Sequence, residues 1–400
     1  MDDFKKVLIL HRDIYSNQLK QCLSFWSTYG FDQELGGFTT YLDQKGRLFS
    51  TDKSVWALGR GIGTFAFAYQ YIEQNPLYLS VAKSSFEFMN KYAYDQDKRM
   101  FFLMTKDGKP IQKRRYWFSE TFAATGSIQL YAVTNDKKYL DAAVQSYETF
   151  RNLYYHPLNS SSKYVSTTIN GLSLAPSMIL LKTAQIMRNY DKIRINMYNE
   201  DIDYAIKQII NNHYSEKEKS VFEFVSLIPH ENKSPRDRLI NPGHAIEAAW
   251  FLLDEYLENP KKYPELLLIS ENIVNWMVEK GWDQQFGGLL SFVDSEGFPP
   301  EQLEWDMKLW WPQTELLIAS LKLFLITNKV EYFELYNKTF DYLFKYFKID
   351  DLEWIGYLHR DNTPASFLKG NLFKGPFHIP RMLSINYLLI KKYLDENQNI

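Results

Sequence analysis

Five ionisable side chains stand close to the starts of apolar helical segments and are the residues best suited to do chemistry. They are Arg60, His244, Glu247, Glu315 and His378, and they include two of the seven histidines in the 400-residue chain. Imidazole has an unperturbed pKa of about 6.5, so a histidine can take up or release a proton at neutral pH. A pair of histidines with neighbouring carboxylates therefore indicates acid–base chemistry.

The segment NPGHAIEAAW, residues 241–250, shows how such a helix start would present its side chains. Asn241 is suited to cap the helix and Pro242 to occupy its first position, while His244 and Glu247 are three residues apart and share one face. The positive end of the helix dipole disfavours a charged imidazole, whereas a nearby carboxylate favours it. The segment predicts a histidine and a glutamate that face the same cleft.

Each of these residues also has a purely structural interpretation. A single histidine at a helix start often caps the helix or makes a buried hydrogen bond, and Glu247 or Glu315 could pair with Arg60 or Lys308. Two histidines and one carboxylate are also a metal-ligand set, although no HExxH motif or cysteine cluster accompanies them. The convergence of all five residues on one rim favours a catalytic site without a metal.

Four prolines mark a repeat, because each opens an apolar run and they follow one another at intervals of about 68 residues. They are Pro176, Pro242, Pro312 and Pro380. Two further apolar runs, 54–73 and 119–134, extend the series without a proline. All six runs are apolar nearly all round, which predicts helices that are buried on more than one side.

Six amphipathic segments, with charged residues on one face, alternate with these runs. They are residues 4–28, 77–93, 137–152, 199–212, 261–279 and 330–346. The alternation predicts six helical hairpins, with the apolar helices in an inner ring and the amphipathic helices outside. The predicted fold class is all-α, an (α/α)6 barrel, and since no Pro/Gly/Ser-rich linker interrupts it, one domain covers residues 1–400.

A sequence motif recurs in the loops before the inner helices: DQELGGFTTYLDQKG at 32–46 matches DQQFGGLLSFVDSEG at 283–297. Two segments match this motif more weakly, and two more are recognised only by their spacing, which completes a set of six loops. These are residues 95–109, 154–167, 214–226 and 351–362. Alternating apolar residues around a turn predict short β-hairpins, which all lie on one rim of the barrel.

Composition limits the partners and the location. The formal net charge is -2 and no basic block is present, which excludes a nucleic-acid-binding function. No uninterrupted apolar stretch reaches the roughly 18 residues of a membrane span, and the apolar stretch near the N-terminus is too short for a signal peptide. The single cysteine, Cys22, cannot form an intrachain disulfide. A soluble, cytoplasmic protein is predicted.

Aromatic residues make up 16% of the chain, more than a core alone requires. Many rings are therefore expected to line a cleft, and the apolar C–H faces of sugars suit such walls. The tryptophans directly before Pro312 could instead belong to the core, but their position at a loop–helix junction also suits a sugar-stacking wall. The candidates for contacting a sugar are Tyr41, Trp117, Lys308, Trp310, Trp311 and Arg381.

Four segments together resemble the N-acylglucosamine 2-epimerases over nearly the whole chain. They are RLINPGHAIEAAW, LEWDMKLWWPQTEL, EWIGYLHRD and KGPFHIPRML. The resemblance implies an (α/α)6 barrel in which a ring-opened sugar loses its C2 proton to one histidine. The other histidine then returns a proton to the opposite face of C2, so that the configuration inverts.

The same resemblance implies a role for each of the five ionisable residues. His244 and His378 transfer the protons, and Arg60 is the cleft arginine and our candidate for stabilising charge on O1. Glu315 matches an essential acid, and Glu247 matches the carboxylate that orients its neighbouring histidine.

The amino-acid sequence of the last segment indicates the substrate. KGPFHIPR is similar to the acylglucosamine branch, whereas cellobiose 2-epimerases tend to have WKxPYHxxR around the equivalent histidine. N-acetylglucosamine and N-acetylmannosamine are the expected substrates, and no cofactor is required because no net oxidation occurs. Some relatives respond to ATP as an activator, but no GxxxxGK[ST] motif is present. The resemblance also implies a homodimer.

Three other functions stay open at this point. A cellobiose 2-epimerase or mannose-type isomerase of the same superfamily would use the same histidines. A glycoside hydrolase needs two carboxylates, for which Glu247 and Glu315 could serve, but it needs no pair of histidines. A non-catalytic binding protein would use its aromatic surface as an interface, and would have no reason to keep all five ionisable residues.

Overall fold

Twelve α-helices make up most of the protein in the computed structural model, which describes residues 2–114, 117–156, 170–228 and 233–397. In chain order they are α1 (Asp2–Phe25), α2 (Val55–Tyr71), α3 (Pro76–Tyr92), α4 (Phe118–Thr134), α5 (Lys137–Tyr155), α6 (Leu174–Tyr190), α7 (Ile195–Gln208), α8 (Pro242–Glu258), α9 (Leu266–Gly281), α10 (Trp310–Thr327), α11 (Val330–Tyr346) and α12 (His378–Glu396). Short π-helical turns, Trp26–Gly30 and Ile209–His213, follow α1 and α7.

The even-numbered helices form an inner ring. Each packs against the next, and α12 contacts α2, which closes the circle. The odd-numbered helices lie outside: α3, α5, α7, α9 and α11 each pack against the inner helix that precedes them, and α1 packs against α12. This arrangement confirms the predicted (α/α)6 barrel of six helical hairpins.

Burial along the helices follows the two sequence patterns. In α10 every residue from 312 to 324 is buried, because this inner helix is covered by its neighbours in the ring and by the outer helices. In the outer helix α11 the buried positions recur every three or four residues, as in Tyr332, Tyr336 and Phe340. One apolar stripe is sufficient for a helix that has solvent on its other side.

The prolines lie in the first helical turn, but only Pro242 is the first residue of its helix. Pro176, Pro312 and Pro380 are each the third residue, so α6, α10 and α12 begin two residues earlier than predicted. The first four N–H groups of an α-helix have no acceptor within the helix, so a proline is tolerated anywhere in that turn. As a result, His378 is the first residue of α12 and does not precede it.

Short strands join several neighbouring loops on the side where the inner helices begin. Four of them directly precede inner helices: β1 (Lys53–Ser54), β4 (Gly171–Ser173), β8 (Leu239–Ile240) and β10 (Lys308–Leu309). Each pairs with a strand of the next loop: β2 (Leu103–Met104), β7 (Phe224–Ser226), β9 (Val293–Asp294) and β11 (Tyr357–Leu358) respectively. The rim therefore ties consecutive hairpins to one another.

The predicted hairpins within single loops form in three places. β2 pairs with β3 (Pro110–Gln112), β5 (Tyr214–Ser215) with β6 (Ser220–Val221), and β11 with β12 (Pro364–Ser366). In the loops 32–46 and 283–297 isolated bridges such as Phe31–Phe38 and Trp282–Leu289 replace them. The predicted loop 154–167 lies mostly outside the described residues.

Buried lysine–aspartate pairs fix the two most similar loops. In the first loop the ammonium of Lys53 lies 2.8 Å from Asp32, and in the other that of Lys308 lies 3.2 Å from Asp283. Both lysine side chains are fully buried and also donate to backbone carbonyls of the loops. Each lysine thus holds a loop onto the strand that leads into an inner helix.

Among the described helices, none is long and apolar enough to span a membrane.

Helix α2 approaches α4 closely through Gly59. A Cβ atom on this residue would lie 2.5 Å from the carbonyl carbon of Phe122, so the two backbones would have to separate to admit even a methyl group. We expect Gly59→Ala to reduce the free energy of unfolding by about 1–3 kcal/mol, the usual cost of overpacking. Urea unfolding followed by circular dichroism measures the change.

A matched control is Ser80→Ala, an exposed position in the outer helix α3. It should change the free energy of unfolding by no more than about 0.5 kcal/mol. Equal effects of the two substitutions would contradict the close approach of α2 and α4.

Candidate active site

Charged and aromatic side chains from the starts of α8, α10 and α12 meet on the axis of the inner ring. His378 begins α12, Glu315 lies in the second turn of α10, and His244 and Glu247 lie in the first two turns of α8. Because each residue stands near the first turn of its helix, the barrel places them at one depth below the rim. The structure thus brings together four of the five ionisable residues identified in the sequence, and Arg60 of α2 lies beside them.

Arg381 holds the two carboxylates of this cluster together. Its Nη2 atom lies 2.6 Å from Glu247 Oε1 and 2.6 Å from Glu315 Oε1. The same Glu315 oxygen lies 3.0 Å from Nδ1 of His378, and the other oxygen accepts a hydrogen bond of 2.9 Å from the indole of Trp250. The carboxylate of Glu315 is fully buried and has its charge and its oxygens satisfied by these neighbours.

His244 is held by a different carboxylate from the one expected. Its Nδ1 lies 3.0 Å from Glu223 Oε2, whereas Glu247 three residues later pairs with Arg381. The expectation that Glu247 orients His244 is therefore wrong: residues three apart share a helix face, but Arg381 reaches that face from α12 and binds the carboxylate. Asn241 caps α8 as predicted, since its side chain accepts the backbone N–H of His244 at 3.0 Å.

Both histidines direct their Nε2 atoms away from these carboxylates. A carboxylate accepts a hydrogen bond, so Nδ1 carries the proton in the neutral form of each ring and Nε2 has a free lone pair. Within the described residues, no hydrogen bond reaches Nε2 of His244 or His378. Trp311 lies against both rings, with ring-centre distances of 5.1 Å to His244 and 5.9 Å to His378.

Three aromatic rings surround the guanidinium of Arg60 at the edge of the site and form an aromatic cage. Its guanidinium carbon lies 4.0 Å from the ring centre of Phe122, 4.6 Å from Phe377 and 5.6 Å from Trp56. No hydrogen bond joins this guanidinium to any described residue, and its buried Nε has no partner. Burial and the positive charge of Arg381 lower the pKa of Arg60 to about 9. The group retains donors for a ligand in the cleft.

The two histidines have opposite electrostatic environments. Burial, together with the positive charges of Arg381 and Arg60, lowers the pKa of His378 well below its usual range. Burial also acts to lower the pKa of His244, but the carboxylate of Glu223, together with those of Glu247 and Glu315, outweighs burial and the pKa is raised overall. The lowered pKa favours the neutral form of His378, and the raised pKa favours the charged form of His244.

The ligand atoms of Glu247, Glu315 and His378 lie within 4.8 Å of one another, close enough to surround a cation. Arg381 donates to both carboxylates and lies 3.2 Å from Nδ1 of His378, so a guanidinium already provides positive charge at that position. His244 faces Glu223 and stands outside this group. The two-histidine, one-carboxylate metal set considered from the sequence is therefore not assembled.

The residues expected to contact a sugar fall into two groups. Trp311 and Arg381 lie inside the cluster, and Trp310 is buried behind it, with its ring centre 6.1 Å from that of His378. Tyr41 and Trp117 lie on the rim, where Tyr41 packs on Phe49 and Trp117 on Phe150. No hydrogen bond or ring contact joins Tyr41 or Trp117 to the histidines in the described part of the chain.

Lys308 does not line the cleft as expected. Its side chain is fully buried between Asp283 and Asn362, and a side chain so enclosed offers no surface to a ligand. The sequence suggested a position in the cleft because Lys308 stands two residues before Trp310. Its ion-pair partner, Asp283, lies instead in the loop that precedes this strand. The equivalent pair of Lys53 and Asp32 was a signal in the sequence that could have revealed this structural role.

Glu223, Trp250 and the rings around Arg60 were missed from the sequence. Glu223 follows β6 in the loop 214–226, which was recognised by spacing alone, and no charge pattern connected it with a histidine 21 residues later. Trp250 was a detectable candidate, because it follows Glu247 by three residues on the same helical face. The site therefore depends on contacts between helices that are distant in sequence.

Several known proteins are similar to this chain in sequence or in fold. The sequence profile of the N-acylglucosamine 2-epimerase (GlcNAc 2-epimerase) family matches residues 36–374. N-acylglucosamine 2-epimerase of Mus musculus is 31% identical over 392 residues, which cover 96% of this chain and 93% of that protein. Cellobiose 2-epimerase of Dictyoglomus turgidum is 22% identical, with 94% and 97% covered. The structure of cellobiose 2-epimerase from Bacillus thermoamylovorans B4167 superposes with a TM-score of 0.81 at 18% identity, covering 95% of this chain and 99% of that one.

The barrel and these similarities together define the class of protein: a carbohydrate epimerase or isomerase with an (α/α)6 fold. The family match covers most of the chain, and the similarity to the mouse protein extends over nearly all of both chains. The chain belongs to the N-acylglucosamine 2-epimerase family.

The role of Arg381 can be tested by removing its charge. We expect Arg381→Met to reduce the free energy of unfolding by about 3–5 kcal/mol, because it leaves Glu247 and Glu315 buried beside each other without their shared partner. Arg360→Met is the control, since that side chain is 45% exposed in its pair with Asp283 and should contribute at most about 1 kcal/mol. Similar unfolding midpoints for the two variants in urea would show that Arg381 does not stabilise the cluster.

Proposed function

We propose that this protein interconverts N-acetylglucosamine and N-acetylmannosamine by inverting C2 of the ring-opened sugar. The observation that carries the proposal is the pair of histidines. Each has Nδ1 fixed by a carboxylate and Nε2 free, and both rings lie against Trp311. Inversion at a carbon atom requires a base on one face and an acid on the other, and the opposite electrostatic environments of His244 and His378 suit these two roles.

The reaction needs only proton transfers. In the open-chain sugar the C1 aldehyde makes the C2 proton acidic, and Nε2 of one histidine removes it. The electron pair left on C2 delocalises onto O1, and Nε2 of the other histidine then donates a proton to the opposite face of C2. Carbon is neither oxidised nor reduced, so no redox cofactor is required.

Arg60 is the group suited to bind O1 as negative charge develops there. Its donors are not used by the described residues, and the aromatic cage of Phe122, Phe377 and Trp56 keeps water from competing for them. A donor held in advance at the position where charge develops typically contributes about 10²- to 10³-fold to the rate. Trp311 would support the apolar face of the sugar chain between the two histidines.

Two observations support acetylated amino sugars as the substrate. Identity is 31% with the mouse N-acylglucosamine 2-epimerase and 22% with the Dictyoglomus cellobiose 2-epimerase, over similar coverage of this chain. The segment that contains His378 also has the sequence KGPFHIPR, which is similar to that of the acylglucosamine branch. Cellobiose and mannose are the alternative substrates of the same histidine pair.

A glycoside hydrolase would use Glu247 and Glu315 on either side of a glycosidic bond. Both carboxylates are bound by the same Nη2 atom of Arg381, so a guanidinium fills the space that a scissile bond would occupy between them. This arrangement disfavours hydrolysis. A single catalytic domain over residues 1–400, the cytoplasmic location, the homodimer and the response to ATP stay predictions.

The substrate is tested by hydrogen exchange. The protein is incubated in D2O with N-acetylglucosamine, N-acetylmannosamine, mannose and cellobiose in separate samples, with and without ATP, and C2 deuteration is followed by NMR. We expect exchange and formation of the second epimer with both acetylated sugars. Exchange with only mannose or cellobiose would transfer the proposal to the corresponding substrate, and a rate that rises with ATP would identify the nucleotide as an activator.

The two-histidine assignment is tested with His244→Ala and His378→Ala. Each should reduce epimerisation by about 10²-fold or more, since each removes one acid–base group. The remaining histidine can still remove and return a proton on its own face. Each variant should therefore exchange C2 deuterium without inversion in one epimer only, and the two variants should act on opposite epimers.

His359→Ala is the matched control, because His359 is exposed on the loop before α12 and should leave turnover unchanged. Near-normal epimerisation in either active-site variant would disprove the assignment. Loss of exchange in both epimers by one variant alone would indicate a single base.

A further inference from the structure

Glu223 lies beside His244 and takes no part in the proposed proton transfers themselves. It lies between β6 and β7, in the loop before α8, and its Oε2 atom lies 3.0 Å from Nδ1 of His244. Its side chain is 18% exposed, so the contact is largely shielded from solvent. In the described part of the chain His244 is the only hydrogen-bond partner of this carboxylate.

The backbone of Glu223 is fixed on both sides. Its N–H donates to the carbonyl of Leu239 at 3.0 Å, and its carbonyl accepts the N–H of Leu174 at 2.9 Å. Leu239 belongs to β8, which leads into α8, and Leu174 begins α6. The backbone of Glu223 is therefore anchored to the strand before α8 and to the start of α6. A residue that only solvates the surface would not require this anchoring.

Other charged groups also face His244. Glu247 of its own helix and Glu315 of α10 lie close enough to favour its charged form, and His378 of α12 stands across the cleft. Both of these glutamates are neutralised by Arg381, which binds them at 2.6 Å. Glu223 differs because no ion pair with a lysine or arginine is found for it among the described residues and its carboxylate is hydrogen-bonded to His244, although its charge also acts to raise the pKa of His213.

We propose that Glu223 is a positioning residue that makes His244 the proton-carrying member of the pair. Its carboxylate binds the Nδ1 proton of His244, which turns Nε2 toward the sugar and favours the charged imidazolium. Glu223 stands behind the ring and does not touch substrate. The inference rests on the proposed two-histidine reaction, and it adds a reason why the two histidines differ before any sugar binds.

The test uses Glu223→Gln, which keeps the shape of the side chain and removes its charge. Loss of the negative charge should lower the pKa of His244 by about one unit. The alkaline limb of the kcat/KM profile, where the acid loses its proton, should move to lower pH by the same amount. The acidic limb, which reports the base, should stay in place. Keq is unaffected by the enzyme, so the same shift appears in both reaction directions.

Two further readouts separate positioning from a structural role. kcat should fall by about tenfold or more while KM changes little, because a glutamine can present its N–H group to the ring and disturb its orientation. The pKa of His244 is also measured by NMR titration of the free protein, with its signals assigned by their loss in His244→Ala. This titration needs no sugar turnover, so it tests Glu223 even if the substrate proposal fails.

Glu216→Gln is the control, since Glu216 is exposed on the turn between β5 and β6 and should change neither measurement. If Glu223→Gln does not fold, Glu223→Asp is tested instead. Its charge lies farther from the ring, so we expect a smaller shift in the same direction. An unchanged His244 titration with an unchanged alkaline limb in a folded variant would overturn the inference.

Discussion

The ion pairs of Arg381 with Glu247 and Glu315 are the interaction on which the site depends. Three inner helices contribute these residues, and two buried carboxylates close together would repel one another without the guanidinium. With the charge in place, Glu315 can accept from Trp250 and bind Nδ1 of His378 in the interior of the barrel. Burial and the same charge keep His378 from accepting a proton easily, so Arg381 both joins the helices and favours the neutral form of this histidine.

The two histidines acquire different properties from similar contacts. Each has a carboxylate 3.0 Å from Nδ1, yet the pKa of His378 is lowered and that of His244 is raised. Burial lowers the pKa of both rings, so the difference lies in the charges around them: Arg381 and Arg60 lower the pKa of His378 further, whereas the carboxylate of Glu223 raises that of His244. Glu315 shares its charge with Arg381, whereas Glu223 has no cation beside it in the described residues. In the reaction that we propose, this nearly symmetric pair of dyads provides an acid and a base at the same pH, as inversion at carbon requires.

The sequence predicted the barrel better than the contacts within its cleft. Apolar runs such as that of α10 and the spacing of four prolines follow from local patterns, and the cap of α8 by Asn241 is equally local. The partner of Lys308 could have been inferred from the repeat, because Lys53 and Asp32 occupy the same places in the first loop. No local pattern indicated that Glu223 rather than Glu247 would face His244, since that choice depends on where Arg381 arrives from α12.

The repeat also explains how one chemistry can be combined with different sugars in this fold. The first turns of the inner helices hold the proposed acid–base groups, and these helices pack against their inner and outer neighbours. The rim loops are joined through short strands and buried pairs such as Lys308 with Asp283, on the side where the inner helices begin. Changes in loop side chains can therefore alter the space around a sugar without moving the histidines. In the proposed reaction, proton transfer at C2 therefore depends on the inner ring of helices, and substrate choice would depend on the loops of the rim.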